Sequence, residues 1–185
     1  MSQTFSLISV SSIFIGFLVL NSLYGANGNI IRDVCKNAVT SDPDLKYGFC
    51  VASLSENPKS KDADLLGIGE ISLQICLQNV TSIESYLDKI AFGVGKGKQN
   101  PKQYYPLNTC LGMYGSAIRF INMAITNFKE KDYYAADKVL SAASGAPTEC
   151  EHRYKQSGLD SPFTKENSDF FQLTRTSLAI TNMVK

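Results

Sequence analysis

The chain has 185 residues, 44% of them hydrophobic and 19% charged, which is enough for one globular domain with a substantial core. Its formal net charge of +1 gives no electrostatic reason to expect nucleic acid or an anionic membrane as a partner. Tryptophan is absent and there is a single histidine, so chemistry that depends on histidine is almost excluded.

The N-terminal segment is apolar from Ile8 to Leu20 and is followed by small residues, and the first charged residue is Arg32. A short apolar core followed by small residues is typical of a secretory signal peptide. A membrane anchor is the alternative, but the strongly apolar part, 13–20, is too short to span a bilayer comfortably. We predict a signal peptide over residues 1–26, cut between residues 25 and 28, and a secreted, soluble mature protein.

Five cysteines follow this segment, at Cys35, Cys50, Cys76, Cys110 and Cys150. In a secreted chain they predict two disulfides and one free thiol. Five choices of the free thiol times three pairings give 15 patterns, before the position of any cysteine is considered.

Two short helical patterns come first, at residues 30–40 and 42–54. Helices of this length form a hairpin that is too small to be stable alone. Cys35 and Cys50 lie one in each arm, so a bond between them would clamp the hairpin. With the polar linker that follows, this unit covers residues 29–62.

The longest helical pattern runs from residue 64 to 92, and its apolar positions are three and four residues apart. They are Leu66, Gly69, Leu73, Cys76, Val80, Ile83, Leu87 and Ile90. Gly69 has no side chain and suggests a close approach of another helix. A free cysteine within a buried stripe behaves as a small hydrophobe, so we predict that Cys76 is the unpaired thiol. Asn79 begins an N-x-Thr sequence beside this stripe and is a candidate N-glycosylation site.

A glycine-rich stretch at 93–98 and Asn100-Pro101 predict a loop before the next helix. That helix has a heptad-like stripe with steps of four and three. Its members are Leu107, Leu111, Tyr114, Ile118, Ile121, Ile125 and Phe128. Such a stripe needs partner helices to be stable, and the rest of the chain supplies them.

A tight turn at 130–132 joins this helix to the next, with Asp132 as the predicted N-cap. The following stripe consists of Tyr133, Ala136, Leu140 and Ala143. We predict that 145–147, which ends in proline, stops the helix and that Cys150 follows in a loop. Cys110 opens the preceding helix, and in a hairpin these two ends meet, which makes a Cys110–Cys150 bond geometrically natural.

Ser161-Pro162 introduces the last helix, whose stripe consists of Phe170, Leu173, Ser177, Ile180 and Val184. Nothing in the sequence has the alternating pattern of a strand. The four long amphipathic helices within 63–185 predict an all-α protein, an up-down-up-down four-helix bundle with an N-terminal helical hairpin extension and two disulfides.

The sequence offers little for catalysis. His152 follows Cys150 in a segment predicted to be a polar loop, and no serine or cysteine nucleophile is paired with it by spacing. Metal-binding patterns such as HExxH, Glu-x-x-His or a close cysteine pair are absent from the sequence, so we predict no metal site and no cofactor. Carboxylate pairs could converge in space, but nothing selects one. The sequence therefore indicates a binding protein and not an enzyme.

Two tyrosine pairs, Tyr104-Tyr105 and Tyr133-Tyr134, lie at predicted helix starts. One interpretation is a half-buried end of the bundle with solvated hydroxyls. The other is an interface anchor, because tyrosine is frequent among the residues that dominate binding energy. The interface interpretation applies more to Tyr133-Tyr134 than to Tyr104-Tyr105.

The mature chain resembles the plant invertase/pectin methylesterase inhibitor family over its whole length. The resemblance is carried by residues 47–54, 63–67, 110–114, 128–133, 150–151, 161–167 and 172–181. It implies a four-helix bundle with an N-terminal hairpin, and the disulfides Cys35–Cys50 and Cys110–Cys150. It also implies an extracellular protein, in the apoplast or pollen wall, that blocks the active-site cleft of a plant carbohydrate-active enzyme. With this resemblance, the aromatic turn that contains Lys129, Asp132, Tyr133 and Tyr134 is the predicted contact surface for the enzyme.

The resemblance leaves two targets, an acid invertase of the cell wall or vacuole, or pectin methylesterase. Invertase-inhibiting relatives have a Pro-Lys-Phe turn that matches Asp132, Tyr133 and Tyr134 here, where only the aromatic third position is kept. Pectin methylesterase inhibitors often have acidic residues at positions that hold Gly112 and Ser116 here. We expect invertase to be the target; a helical carrier that encloses a small apolar ligand is the alternative function.

Overall fold

The computed structural model describes residues 30–92 and 101–185, and every regular element in these ranges is helical. The prediction of an all-α protein is confirmed. The helices are α1 (30–41), α2 (Tyr47–Ser55), α3 (Leu65–Phe92), α4 (Pro101–Lys129), α5 (Tyr133–Gln156) and α6 (Thr164–Met183), with a 3-10 turn at Pro58–Lys61. The predicted signal peptide lies outside the described residues.

The four long helices pack in a ring, because α3 contacts α4 and α6 while α5 contacts the same two helices from the other side. This is the arrangement of a four-helix bundle. The main core lies along the axis of the ring and contains large side chains from every long helix, including Leu87, Tyr114, Leu140 and Phe170.

The buried face of α4 differs from the predicted stripe at three of its seven positions. Four predicted members are buried, namely Leu107, Tyr114, Ile121 and Phe128. The other three, Leu111, Ile118 and Ile125, are half-buried, and their neighbours Cys110, Ala117 and Ala124 occupy the core. A seven-residue repeat offers two adjacent seams, and the one with small side chains lets the neighbouring helices approach more closely. A similar correction applies to Leu66, which is 41% exposed.

Two helices extend beyond their predicted limits. Helix α4 begins at Pro101, where proline is tolerated in the first turn, and continues through Pro106. Helix α5 continues through Pro147 to Gln156, so the predicted loop around Cys150 is wrong. Pro147 is buried and Cys150 is bonded to α4, and this packing outweighs the one backbone hydrogen bond that proline removes.

Both disulfides of the predicted frame are present. Cys35–Cys50 joins α1 to α2, and Cys110–Cys150 joins α4 to α5. Cys76 is free and fully buried in α3, with its Sγ 3.3 Å from Oγ of Ser177. Burial raises the pKa of the Cys76 thiol to about 12, against a smaller opposite effect of Ser177.

This burial predicts the reactivity of the thiol. Because only the thiolate reacts, Cys76 of the folded protein should be inert to a thiol reagent at pH 8. One thiol per chain should react after unfolding without reductant, and peptide mapping should locate it at Cys76. Labelling at Cys110 or Cys150 would contradict the disulfide frame.

From Phe170 to Thr181, helix α6 is buried on nearly all sides, whereas its sequence predicts a single stripe. The N-terminal hairpin covers its outer face, and the covered side chains include several polar ones. Gln172 Nε2 donates to the carbonyl of Asp44 at 2.8 Å, and the backbone N–H of Lys46 donates to Gln172 Oε1 at 2.8 Å. Arg175 Nε donates to Oδ2 of Asp42 at 2.5 Å. These contacts hold 42–46 as a turn, so α2 begins at Tyr47 and not at Asp42 as predicted.

The ion pair of Asp42 with Arg175 predicts a pH dependence. The hydrogen bond from Arg175 lowers the pKa of Asp42 below its usual value. A carboxyl whose pKa is lowered on folding stabilises the folded state above its unfolded pKa of about 3.9, and this is lost as the pH falls further. The protection factors of α1 and α2, which are corrected for the intrinsic exchange rate at each pH, should therefore fall below about pH 4, by an amount equivalent to about 0.5–1 kcal/mol because the pair is partly exposed.

The matched control for this pH dependence is Arg175→Met, which keeps the aliphatic stem and removes the charge. The variant should exchange faster than the parent at pH 6, and the difference should shrink as the pH falls below about 4. Equal exchange of the two proteins at pH 6 would show that the ion pair does not hold the hairpin.

Candidate functional site

The turn between α4 and α5 is closed by backbone hydrogen bonds. The N–H of Asp132 donates to the carbonyl of Asn127 at 2.9 Å, and the N–H of Lys131 donates to that of Phe128 at 3.1 Å. Lys131 has a φ of 64°, in the left-handed region. This pattern is a Schellman motif, which satisfies the last carbonyls of α4 and fixes the exit direction of the chain.

The beginning of α5 is fixed by its cap. Oδ1 of Asp132 accepts a hydrogen bond from the backbone N–H of Ala135 at 2.9 Å, as its predicted N-cap role requires. The Tyr133 ring is half-buried and packs edge-on against Phe128, with ring centroids 5.1 Å apart. Asp132 and Tyr133 thus stiffen the turn from within.

Tyr134 projects from this rigid turn and is 65% exposed. The ammonium of Lys138 lies 4.5 Å from the centroid of its ring, and that of Lys185 lies 6.0 Å away. Lys185 also forms an ion pair with Asp137, with Nζ 3.0 Å from Oδ2. Each ammonium is attracted to the negative face of the ring.

The four predicted contact residues are adjacent at this turn, but their side chains differ in environment. Tyr134 and Lys129 are exposed, and Asp132 is exposed while its carboxylate caps α5. We call Lys129, Tyr134, Lys138 and Lys185 the Tyr134 surface. Sequence reasoning missed both added lysines. The spacing of four residues from Tyr134 could have indicated Lys138, whereas no local signal indicates Lys185 at the far end of the chain.

A groove of about 630 Å³ runs along the outer side of the α4–α5 pair. Its lining includes Gly112 and Ser116, the positions that the family resemblance singled out. Ser116 Oγ accepts a hydrogen bond from Nη2 of Arg119 at 2.8 Å. The groove is open at the surface and does not enclose space in the way that the carrier hypothesis requires.

A buried polar network links α4, α5 and α6. The Tyr114 hydroxyl donates to Oδ1 of Asn167, whose Nδ2 donates to Oε1 of Glu151. Burial is the largest cause of the raised pKa of Tyr114, which keeps the phenol protonated and able to donate. Each of these three side chains has a hydrogen-bond partner within the network, which therefore braces the bundle.

The remaining candidates for chemistry are dispersed. His152 lies on α5, where it is exposed, and not in the predicted loop. Within 30–92 and 101–185, no three histidine, cysteine or acidic side chains are close enough together to bind a metal ion. No helix of the same ranges combines the length and apolarity needed to cross a membrane.

These observations define a disulfide-braced helical bundle with a rigid aromatic turn. The chain belongs to the plant invertase/pectin methylesterase inhibitor family, whose model matches residues 29–180. This is a family of enzyme inhibitors, so the chain is not an enzyme.

Individual relatives include inhibitors named for each enzyme. A Platanus orientalis protein named "Putative invertase inhibitor" is 39% identical over 159 residues, covering 85% of this chain and 91% of its own length. Pectinesterase inhibitor 12 of Arabidopsis thaliana is 34% identical over 174 residues, covering 94% and 97%. The crystal structure of mutant form A of an Arabidopsis pectin methylesterase inhibitor has the same fold, with a TM-score of 0.64 at 22% identity, covering 78% of this chain and 96% of that one.

Proposed function

We propose that this chain is a secreted, extracellular inhibitor that blocks the active-site cleft of a plant acid invertase through the Tyr134 surface. The observation that carries the proposal is the exposure of Tyr134 on a turn fixed by a Schellman motif and an N-cap. A large exposed aromatic on an ordered turn is typical of a binding anchor.

Inhibition by occlusion needs no reactive group on the inhibitor. The turn is already ordered, so docking would lose less conformational entropy than the ordering of a flexible loop. The ammonium groups beside Tyr134 would favour an acidic partner surface. The carboxylates that glycoside hydrolases use for catalysis provide such a surface.

The choice of invertase over pectin methylesterase is supported by two observations. Two Platanus relatives named as invertase inhibitors are each 39% identical to this chain, against 34% for the pectinesterase inhibitor described above. The α4–α5 groove has Gly112 and Ser116 at the positions where the resemblance to pectin methylesterase inhibitors implies acidic residues. Pectin methylesterase remains the second target to be assayed.

The test measures both enzymes with the same inhibitor preparation. Purified protein at micromolar concentration should slow sucrose hydrolysis by a cell-wall invertase at acidic pH and leave pectin demethylation by pectin methylesterase unaffected. Inhibition of pectin methylesterase alone would reverse the target assignment, and inhibition of neither enzyme would overturn the proposed function.

A pair of matched variants tests the surface. Tyr134→Ala should weaken inhibition about 30-fold, because truncation of an anchor residue removes about 2 kcal/mol. Tyr105→Ala is the control, since Tyr105 is also 65% exposed but lies on the first turns of α4, about 36 Å away along the helix. Equal inhibition by the two variants would exclude Tyr134 as the anchor.

A further inference from the structure

A second groove, of about 490 Å³, lies between α2, α3 and α6, where the N-terminal hairpin meets the bundle. Asn79, in the middle of α3, contributes to its lining and is half-buried. The rest of the lining mixes polar and apolar groups, including Phe49, Ser53, Glu56, Gln78 and Asp169. The groove therefore offers hydrogen-bonding groups beside an aromatic ring.

Asn79 is also the first residue of the sequence Asn79-Val80-Thr81, which is an N-glycosylation acceptor in a secreted chain. Thr81 is exposed on the same helix. The Oδ1 atom of Asn79 is buried and has no hydrogen-bond partner in the described part of the chain. Leaving such an acceptor unsatisfied destabilises a fold.

We propose that Asn79 carries an N-linked glycan and that the first sugar of this glycan occupies the groove between α2, α3 and α6. The inference rests on the secretion that is part of the proposed function. Because Oδ1 is buried in the unmodified chain, the Asn79 amide would turn into the groove on modification, where a sugar hydroxyl would satisfy Oδ1. The apolar face of the sugar would pack on Phe49, and its remaining hydroxyls would meet Gln78 and Asp169.

The covalent step uses an oligosaccharide linked to a lipid pyrophosphate, which the secretory pathway provides. Nδ2 of Asn79 attacks C1 of the first N-acetylglucosamine, so that an N–C1 bond forms and the bond from C1 to the pyrophosphate oxygen breaks. The lipid pyrophosphate leaves, and the amide nitrogen loses one proton to a base of the transferase. The reaction takes place on the growing chain, so the later folding of α3 does not block it.

The position of the groove keeps the glycan away from the Tyr134 surface. In the ring of helices, the α3–α6 edge lies opposite the α4–α5 edge. Lys185 brings the end of α6 to the Tyr134 surface, but Leu173, the last α6 residue that lines the groove, lies 12 residues earlier, about 18 Å along the helix. The hairpin covers the α3–α6 edge, and the glycan would bridge α2 to α3 and α6. We therefore expect the sugar to stabilise the attachment of the hairpin without interfering with a partner at the α4–α5 turn.

The first experiment measures occupancy by intact mass. The full chain is secreted from a eukaryotic host that makes high-mannose glycans, with a heterologous signal peptide so that secretion does not depend on residues 1–26. The protein should be heavier than its polypeptide, and peptide mapping should locate the glycan at Asn79. Thr81→Ser should retain the glycan and the isosteric Thr81→Val should lose it. An unmodified Asn79 in the secreted parent protein would overturn the proposal.

The second experiment tests whether the first sugar occupies the groove. Endoglycosidase H leaves a single N-acetylglucosamine on asparagine, and this trimmed protein should keep the Tm of the fully glycosylated form. The unglycosylated Thr81→Val protein should melt about 2–4 °C lower, which corresponds to about 1 kcal/mol. Equal Tm values for all three proteins would show that the glycan does not occupy the groove.

Neither readout uses the target enzyme, so failure of the glycan proposal and failure of the inhibitor proposal are distinguishable. Where invertase inhibition is observed, Thr81→Val and the glycosylated parent should inhibit equally. Stronger inhibition by the unglycosylated variant would show that the glycan reaches the partner surface and would contradict its assignment to the α2–α3–α6 groove.

Discussion

Removal of the Cys110–Cys150 disulfide is expected to lower the free energy of unfolding by about 4 kcal/mol. The bond closes a loop with a sequence separation of 40, and the chain-entropy relation gives about this value for such a loop. The variant is Cys110→Ala with Cys150→Ala, which removes both sulfurs at a site where each residue is fully buried. Urea unfolding should give the difference directly, and Tm should fall by about 8–16 °C.

The second disulfide provides the control for this measurement. Cys35→Ala with Cys50→Ala opens a loop with a separation of 15, for which about 3 kcal/mol is expected. The destabilisation should be concentrated in the hairpin, so hydrogen exchange should accelerate in α1 and α2 before the bundle unfolds. A loss below 1 kcal/mol for the Cys110–Cys150 variant would show that core packing already fixes α4 against α5.

Gly69→Ala is expected to destabilise the protein by about 1–3 kcal/mol through overpacking. A Cβ atom at Gly69 would lie 3.1 Å from two ring carbons of Phe128, and closer still to Cζ at the tip of the ring. Phe128 is 3% exposed and is surrounded by core side chains, so the ring cannot move aside freely. Thermal unfolding of the single variant measures the effect.

Two further variants separate overpacking from any general effect of alanine. Gly145→Ala, at a helical glycine with nothing within 4 Å of the added Cβ, should stabilise the protein by about 0.5–1 kcal/mol. Phe128→Leu removes the tip of the ring, and combined with Gly69→Ala it should be more stable than the sum of the single effects predicts. Strict additivity would mean that the two residues do not compete for the same space.

The positions of the long helices could be predicted because hydrophobic periodicity is a local property of the sequence. The seam of α4 could not, because the stripe through Leu111 and the stripe through Cys110 both fit a heptad. The volumes of the neighbouring helices decide between them. The end of α5 was also missed, since proline at 147 predicts a stop while a buried disulfide and the packing of Tyr154 extend the helix.

The local features of the candidate site could be predicted from the sequence, and the contacts between distant segments could not. The turn and its N-cap at Asp132 are determined by a few consecutive residues, so they were predictable. The contacts that hold the N-terminal hairpin on α6 were not predictable. Gln172 contacts Asp44 across 128 positions of sequence, and in the sequence its amide looks like an ordinary surface group. Gln172 is buried although it is polar, because residues 44–46 of the hairpin cover it.

The contact between Gly69 and Phe128 has a consequence for the divergence of such proteins. The ring of Phe128 contacts α3 at Gly69 and packs against Tyr133, so the orientation of the exposed turn depends on a residue outside the proposed contact surface. A substitution at position 69 would therefore reorient the Tyr134 surface without altering any residue on it. If that surface is the one that meets the enzyme, its specificity would change through a core position that comparison of the surface residues alone would overlook.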